Sequence, residues 1–434
     1  NNWNQVCNAG MASGALALAE SEPRLAAELV ARAIDTVPAA MHEYAPDGAY
    51  PEGPGYWGYG TSFNVLLISA LESTLGSDFG LSAQPGFLAT ADYYLHVVGP
   101  SGYYFNYSDA GRGGKGVAPA MFWFAARRQQ PYLLWHEWPA IAPASGTRAA
   151  RRGDRVDPMA LLWLAPGQPK PPEPPVLSWS ARGSNPVAFH RSSWDQKASF
   201  VAIKGGSASL NHAHMDVGAF VMDAGGLRWA DDLGSQDYNS LESKGIKLFG
   251  RTQDADRWNV FRLGTSAHNV LQVDGQQQQV AGRAPIVLAG DGRTVVDLTT
   301  VYAGQLARAP RGVALQPDRS VRVQKEVTAL AKTASVRWAM VTRADVTLAG
   351  AGRATLKQEG QTLTFRVLEP ANATLAIFPT DPAPAATDAR NPGTRMIGFE
   401  VKVPAGQSQR LVVQLIPGDA KAPSAPVVAL AEWK

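Results

Sequence analysis

The stretch that divides this chain is 165–175, APGQPKPPEPP, in which six of eleven residues are proline. Proline fixes φ and removes a backbone donor, so neither a helix nor a sheet runs through such a segment, and it reads as an extended link. Before it, apolar residues recur at helical spacing. After it, short alternating runs are punctuated by Gly, Asp, Asn and Pro. The expectation is an α+β multidomain chain: a helical domain over 1–165, a linker over 166–175, and a large antiparallel β-sandwich over 176–434.

Upstream of the link, the spacing predicts helices over 3–19, small and apolar and therefore buried, and over 23–40, with Leu25, Leu29, Ala33 and Ile34 on one stripe and Pro23 in its first turn. Further helices are expected over 62–75, 86–98, 117–128 and 158–164. They alternate with the aromatic loops APDGAYPEGPGYWGYG (45–60) and GPSGYYFNYSDAGRGGKG (99–116), and stacked helix pairs of this kind curve into bundles or toroids. Downstream, strands are expected over 199–204, 294–301, 320–327, 335–342, 362–368 and 410–415.

The totals set bounds. At 434 residues, 45% hydrophobic and 18% charged, with 42 Gly and 31 Pro, the chain is a turn-rich globular protein with ample core. A net charge of +3 does not argue for nucleic acid, and fits a polyanion where arginines cluster. The single cysteine, Cys7, excludes an internal disulfide and leaves the compartment open. No apolar run reaches membrane-spanning length. The chain starts at Asn1, already in helical pattern, so more than a leader is expected to precede it.

Chemistry concentrates in 209–238, SLNHAHMDVGAFVMDAGGLRWADDLGSQDY, and in 265–275, TSAHNVLQVDG. If 210–216 is extended, a period of two puts His212, His214 and Asp216 on one face. Paired imidazoles suit a metal, and a hairpin at Gly225-Gly226 returns as 227–230 to bring Asp231-Asp232 close. His268 could close the shell. The plainer alternative is buried histidines bonded to backbone carbonyls. A second constellation lies upstream: Asn1, Asn2, Trp3 and Asn4; Asp47, Glu52, Tyr56, Trp57 and Tyr59; and Tyr103, Tyr104, Asn106, Tyr107 and Asp109. Aromatic faces beside amides and carboxylates are what a carbohydrate cleft uses. Singly, each aromatic residue reads equally as a packing anchor.

Taken in order, Asn-Asn-Trp, then D-G-x-Y-x-E-G-P-x-Y-W (47–57), the proline link, N-H-x-H-x-D-x-G-x-F (211–220), D-x-G (232–234) and A-H-N-x-L-x-x-D-G (267–275), the chain resembles the heparinase II/III-like polysaccharide lyases over roughly 1–285. The resemblance implies an (α/α) toroid, here N-terminally incomplete, followed by an antiparallel sandwich. It also implies β-elimination on uronic-acid polysaccharides, with substrate lying between toroid and sandwich. On it, Asn2, with Asn1, binds the uronate carboxylate; Tyr56 is the acid; His212 takes the C5 proton or shares in neutralisation. His214, Asp232 and His268 match a zinc site, read as structural. Glu52, Trp57, Tyr59, Tyr107, Asp109, Tyr238, Arg257 and Arg262 are expected to line the substrate, because Arg can clamp carboxylate or sulfate.

The partner is thus an acidic polysaccharide, either a sulfated glycosaminoglycan or alginate or another bacterial uronate polymer. The location expected is periplasmic or secreted. Two other functions stay open: a glycoside hydrolase on an (α/α) scaffold using Glu52 and Asp109 as acid and base, and a non-catalytic glycan-binding protein.

Overall fold

The computed structural model describes residues 2–112, 116–141, 155–350, 352–418, 420 and 426–433. Contacts divide the chain into two compact units, Asn1–His96 with Lys115–Val176, and Val97–Gly114 with Leu177–Lys434. The change of unit at Val176 falls beside the proline-rich link. The earlier exchange has no signature in composition: the aromatic loop expected in the helical half packs with the β half.

The helical unit begins with α1 (Asn2–Ala17), α2 (Pro23–Thr36) and α3 (Pro38–Met41). Pro38 lacks the donor that would continue α2, so the helix expected over 23–40 is split in two. α1 is not buried all round as expected: Asn2, Gln5, Ala9, Ala12 and Ala15 form its buried stripe, and Trp3 is 69% exposed. The alanines let α1 pack against the Ala26, Val30 and Ala33 stripe of α2. The loop over 45–60 does not stay open. It coils into α4 (Gly53–Tyr56) and a wide π-type turn at Trp57–Thr61, which runs straight into α5 (Ser62–Leu75). Gly60 lets that turn approach α1 closely: a Cβ there would lie 2.3 Å from Gln5 Oε1, so the Gln5 side chain would have to move. α6 (Thr90–His96), α7 (Pro119–Arg128), α8 (Trp138–Ile141) and α9 (Met159–Trp163) follow. No described helix is long and apolar enough to cross a membrane.

The second unit is antiparallel β throughout its described pairings. A five-stranded meander comprises β1 (Ser178–Ala181), β2 (Val187–Arg191), β3 (Phe200–Lys204), β4 (Phe220–Ala224) and β5 (Leu227–Ala230). Gly225 and Gly226, both at positive φ, make the tight β4–β5 hairpin that the sequence predicts. Next come β6 (Leu271–Val273), β7 (Ile286–Gly290), β8 (Arg293–Asp297), β9 (Leu306–Arg308), β10 (Pro310–Leu315), β11 (Val321–Ala329) and β12 (Ala334–Thr342). The last are β13 (Asp345–Leu348), β14 (Arg353–Gln358), β15 (Gln361–Glu369), β16 (Ala376–Pro379), β17 (Arg395–Val403) and β18 (Ser408–Pro417). The largest sheet runs β13-β14-β15-β18-β11-β10-β8-β7, with β9 on β11; the third runs β16-β17-β12-β6. Alternate residues of all three sheets share one core, in which Phe220, Trp338, Phe365, Phe399 and Leu411 are fully buried. Each such side chain contributes about 1.5–3 kcal/mol, comparable to the cost of about one unsatisfied buried polar group.

Candidate functional site

The H-x-H segment is not the strand expected of it. Residues 210–216 form a turn and irregular loop, with His212 at φ +57, a left-handed conformation uncommon outside glycine. The two imidazoles nevertheless converge, on one carboxylate. His212 Nδ1 lies 2.8 Å from Asp109 Oδ2, and His214 Nε2 lies 2.9 Å from Asp109 Oδ1. Tyr238 donates its hydroxyl to Asp109 Oδ2 at 2.5 Å, and the same hydroxyl is 2.9 Å from His212 Nδ1. Burial works against the charge of Asp109, yet the donors His212, His214 and Tyr238 prevail and hold it well below the usual carboxylate range. Asp216, expected on the same face as the histidines, instead pairs with the fully buried Lys204.

Asp109, expected among the substrate-lining residues, is by its bonds the group that orients His212. Its loop, Val97–Gly114, is fixed by the β4–β5 hairpin. Asp223 pairs with Arg228 in the core and accepts from Ser101 N at 3.2 Å, while Arg228 Nη1 and Nη2 donate to Tyr104 O and Tyr103 O at 3.0 and 3.1 Å. Asn106 Nδ2 donates to Asp232 O at 3.3 Å. Gly234, the glycine of D-x-G, has φ +69, and a Cβ there would lie 3.0 Å from Ala110 O, so it admits the loop backbone. Tyr238 opens the short helix α10 (Tyr238–Glu242), and its N-cap Asp237 accepts from Ser240 N at 2.8 Å.

His268 lies beside this cluster, its ring centroid 5.4 Å from that of His214. Its Nδ1 is 2.7 Å from Asp232 Oδ2, and Asp232 Oδ1 accepts from Gly234 N at 2.8 Å. Burial lowers the His268 pKa, but the Asp232 charge and hydrogen bond outweigh it and the net shift is upward. Among the described residues, no three His, Cys, Asp or Glu side chains gather as ligands around a point. Two nitrogens do suit a metal: His214 Nδ1 and His268 Nε2 are buried without partners, and each ring's other nitrogen is held by a carboxylate. Asp232 stands behind His268 here, with both oxygens engaged. Asp231 accepts from Arg112 Nε at 2.6 Å and from Arg343 Nε at 3.1 Å, which removes it from consideration as a ligand.

Asn269, next to His268, is a residue that sequence reasoning misses. Fully buried, its Nδ2 donates to Phe220 O and Asp231 O, both at 2.8 Å, and its Oδ1 accepts from Val341 N at 2.6 Å, joining β4 and β12 to the residue that follows β5. The A-H-N motif is its only trace. Arg257 is buried and donates to Ala213 O at 2.8 Å; burial pushes its pKa down while Asp109 and Tyr238 act oppositely. Arg262 is no free clamp, since its three nitrogens donate to Asn391 Oδ1, Ser235 O and Arg390 O. Tyr107 is 1% exposed and its ring lies beneath Lys204, so it packs rather than offering a face.

The helical unit gathers its own candidates. Asn2 is buried; its backbone N–H and Nδ2 donate to Glu52 Oε2 at 3.1 and 2.8 Å, and its Oδ1 has no partner. Glu52, itself buried, therefore anchors the start of α1 and the Asn2 amide rather than standing open to a sugar. Tyr50 OH is 3.4 Å from the same oxygen, and Gln5 Nε2 donates to Tyr44 OH at 2.7 Å. Tyr56, at the end of α4, is half-buried, and Tyr59 is exposed. Trp57 is no stacking platform: it is fully buried, stacked at 3.8 Å on Tyr94, with its N–H on Thr90 Oγ1. Asn1 lies outside the described residues.

Residues 186–413 match the family described as heparinase II/III-like, C-terminal, more than half of the chain. The chain belongs to the heparinase II/III-like polysaccharide lyase family. Among solved structures, it is similar to a heparan sulfate lyase, HepC from Pedobacter heparinus, at 17% identity and TM-score 0.66, covering 96% of this chain and 60% of that one. Similar too are a heparinase III (12% identity, TM-score 0.66, 95% and 61% coverage) and the heparinase III BT4657 gene product (15% identity, TM-score 0.64, 95% and 59%). The chain thus spans about three-fifths of the length of these structures, and at such identities the likeness is one of fold. No curated protein sequence matches it.

Proposed function

We propose that this chain acts as a polysaccharide lyase, cleaving a uronic-acid-containing glycan by β-elimination. The observation that carries the reading is the Asp109–His212–Tyr238 constellation: an imidazole whose Nδ1 meets a buried carboxylate and a phenol at 2.8 and 2.9 Å. Donating the Nδ1 proton directs the lone pair to Nε2, which makes that nitrogen the base. His212 Nε2 takes the C5 proton, the electron pair forms the C4–C5 double bond, and the C4–O bond breaks. By the family resemblance Tyr56 protonates the departing oxygen, and Asn2 is the amide that offsets the carboxylate charge, a role that requires its Nδ2 to exchange the bond to Glu52 for one to the substrate. A hydrolase would need a protonated acid; Asp109 is held ionised and Glu52 is buried on Asn2, which disfavours that alternative.

The finer architecture belongs to the same proposal: an (α/α) toroid for the helical unit and a sandwich for the β unit, joined by the link at 166–175. Heparan sulfate, named for one similar structure, is the first polymer to test. The modest net charge of +3 favours a lightly sulfated or unsulfated uronate, alginate included. Such polymers place the protein in the periplasm or outside the cell. Zinc, if bound, would be held by His214 Nδ1 and His268 Nε2, with Asp232 behind His268 fixing that ring rather than free to ligate, and would tie the loops behind His212. The deciding assay follows unsaturated product at about 230 nm on a uronate panel. Wild type should turn over one polymer, while Tyr56→Phe, His212→Ala and Tyr238→Phe should lose most activity with the fold kept. Reducing ends without the absorbance would indicate hydrolysis, and binding without turnover a glycan-binding protein.

A further inference from the structure

The core of the β unit contains a basic pair with no counter-charge. Strand alternation puts Lys325 on the face of β11 that bears Val321, Val323 and Val327, and Arg311 on the face of β10 that bears Val313. The two are register partners, flanked in the same row by Val296 on β8 and Leu411 on β18. Arg311 is 0% exposed and Lys325 1% exposed. Arg311 Nη1 donates to Gly218 O and, at 2.5 Å, to Asn269 O, and its guanidinium lies 4.7 Å from the Phe220 ring centroid. Its Nε and Nη2, and Lys325 Nζ, have no partner, and neither residue forms an ion pair among the described residues.

Burying an unpaired charge costs several kcal/mol, and two adjacent like charges cost more. Every unsatisfied atom here is a donor. A water molecule would bring hydrogens of its own that need acceptors, whereas an acceptor-only ligand leaves nothing unpaired. The flanking Val296, Val313, Val323 and Leu411 are fully buried hydrocarbon, which suits a single atom and offers nothing to the extra oxygens of an oxyanion. We propose that Arg311 and Lys325 bind one monatomic anion, chloride under ordinary conditions, within the core of the β unit. Without it, burial and the neighbouring guanidinium push the Lys325 amine well below its ordinary pKa. Because Arg311 also holds the carbonyls of Gly218 and Asn269, the ion braces from behind the two loops that carry His214 and His268.

Crystals of the unmodified chain grown in bromide should show an anomalous peak within hydrogen-bond reach of Arg311 Nη2 and Lys325 Nζ. In solution, replacing gluconate by about 0.2 M chloride at constant ionic strength should raise Tm by roughly 2–4 °C. Lys325→Met should abolish that dependence. An absent bromide peak, or a water in its place, together with a wild-type Tm indifferent to chloride, would overturn the proposal. If Lys325→Met does not fold, the bromide measurement on the unmodified chain decides alone.

Discussion

Replacing Asp109 by asparagine tests the proposed mechanism most directly. Three donors converge on this carboxylate: His212 and Tyr238 on Oδ2, His214 on Oδ1. An asparagine amide that keeps its oxygen toward His214 turns an NH2 group toward His212 Nδ1 and Tyr238 OH, two groups that now donate. Two charge-assisted bonds are lost, each about 1.5–3 kcal/mol, and donor faces donor unless His212 adopts the other tautomer. That tautomer puts the proton on Nε2 and removes the base. Of the loss, only the share at His212 bears on proton transfer, about 1.5–3 kcal/mol, which is roughly 10–150-fold in kcat. KM should change little, since in this reading Asp109 touches no sugar. Initial rates of unsaturated-product formation on the responsive polymer measure both constants, and near-ultraviolet circular dichroism checks the fold. A folded Asp109→Asn enzyme with kcat within about threefold of wild type would show that the carboxylate does not orient the base.

Three further outcomes are expected. Asn269→Ala strands two buried carbonyls and one buried N–H, and should lower unfolding free energy by about 3–5 kcal/mol in denaturant titration; a loss under about 1 kcal/mol would deny Asn269 its role as a tie. His190 is buried between Ser178 Oγ and Thr294 Oγ1, and burial depresses its pKa from 6.5 to about 4. Its neutral form is favoured by folding, so its contribution is complete above pH 6.5 and falls away toward pH 4, by up to about 3 kcal/mol. His190→Gln should flatten the stability-versus-pH curve in that window, and an unchanged slope would remove His190 as the cause. Finally, metal analysis of natively purified protein should find about one zinc per chain, lost in His268→Gln along with thermal stability; a metal-free wild type would leave His214 and His268 as hydrogen-bonding residues.

What can be read from the sequence is whatever local pattern decides. α5 spans Ser62–Leu75 as its apolar periodicity predicts, and Gly76 in the left-handed region ends it. The alternating runs at β11, β12 and β15 are strands for the same reason. Where long-range packing decides, the pattern misleads. H-x-H satisfies a strand's period of two, but the chain turns at His212 because its partner, Asp109, lies 103 residues upstream. Trp57 carries the composition of a sugar platform, yet Tyr94, distant in sequence, takes its face. Nothing around Asp109 announces that its loop belongs with the β strands, because the buried Asp223–Arg228 pair that holds it lies on the far side of the proline link.

That loop limits how the protein can be dissected. A shortened chain begun at residue 177, where composition invites a cut, would keep His212, His214 and Tyr238 but leave Val97–Gly114 behind. Its imidazoles would lose the acceptor that orients them, and Arg228 the two carbonyls it grips. The β half is therefore not an interchangeable cassette: whatever recombination carries it elsewhere must bring along eighteen residues from the other side of the link, or supply another carboxylate in their place.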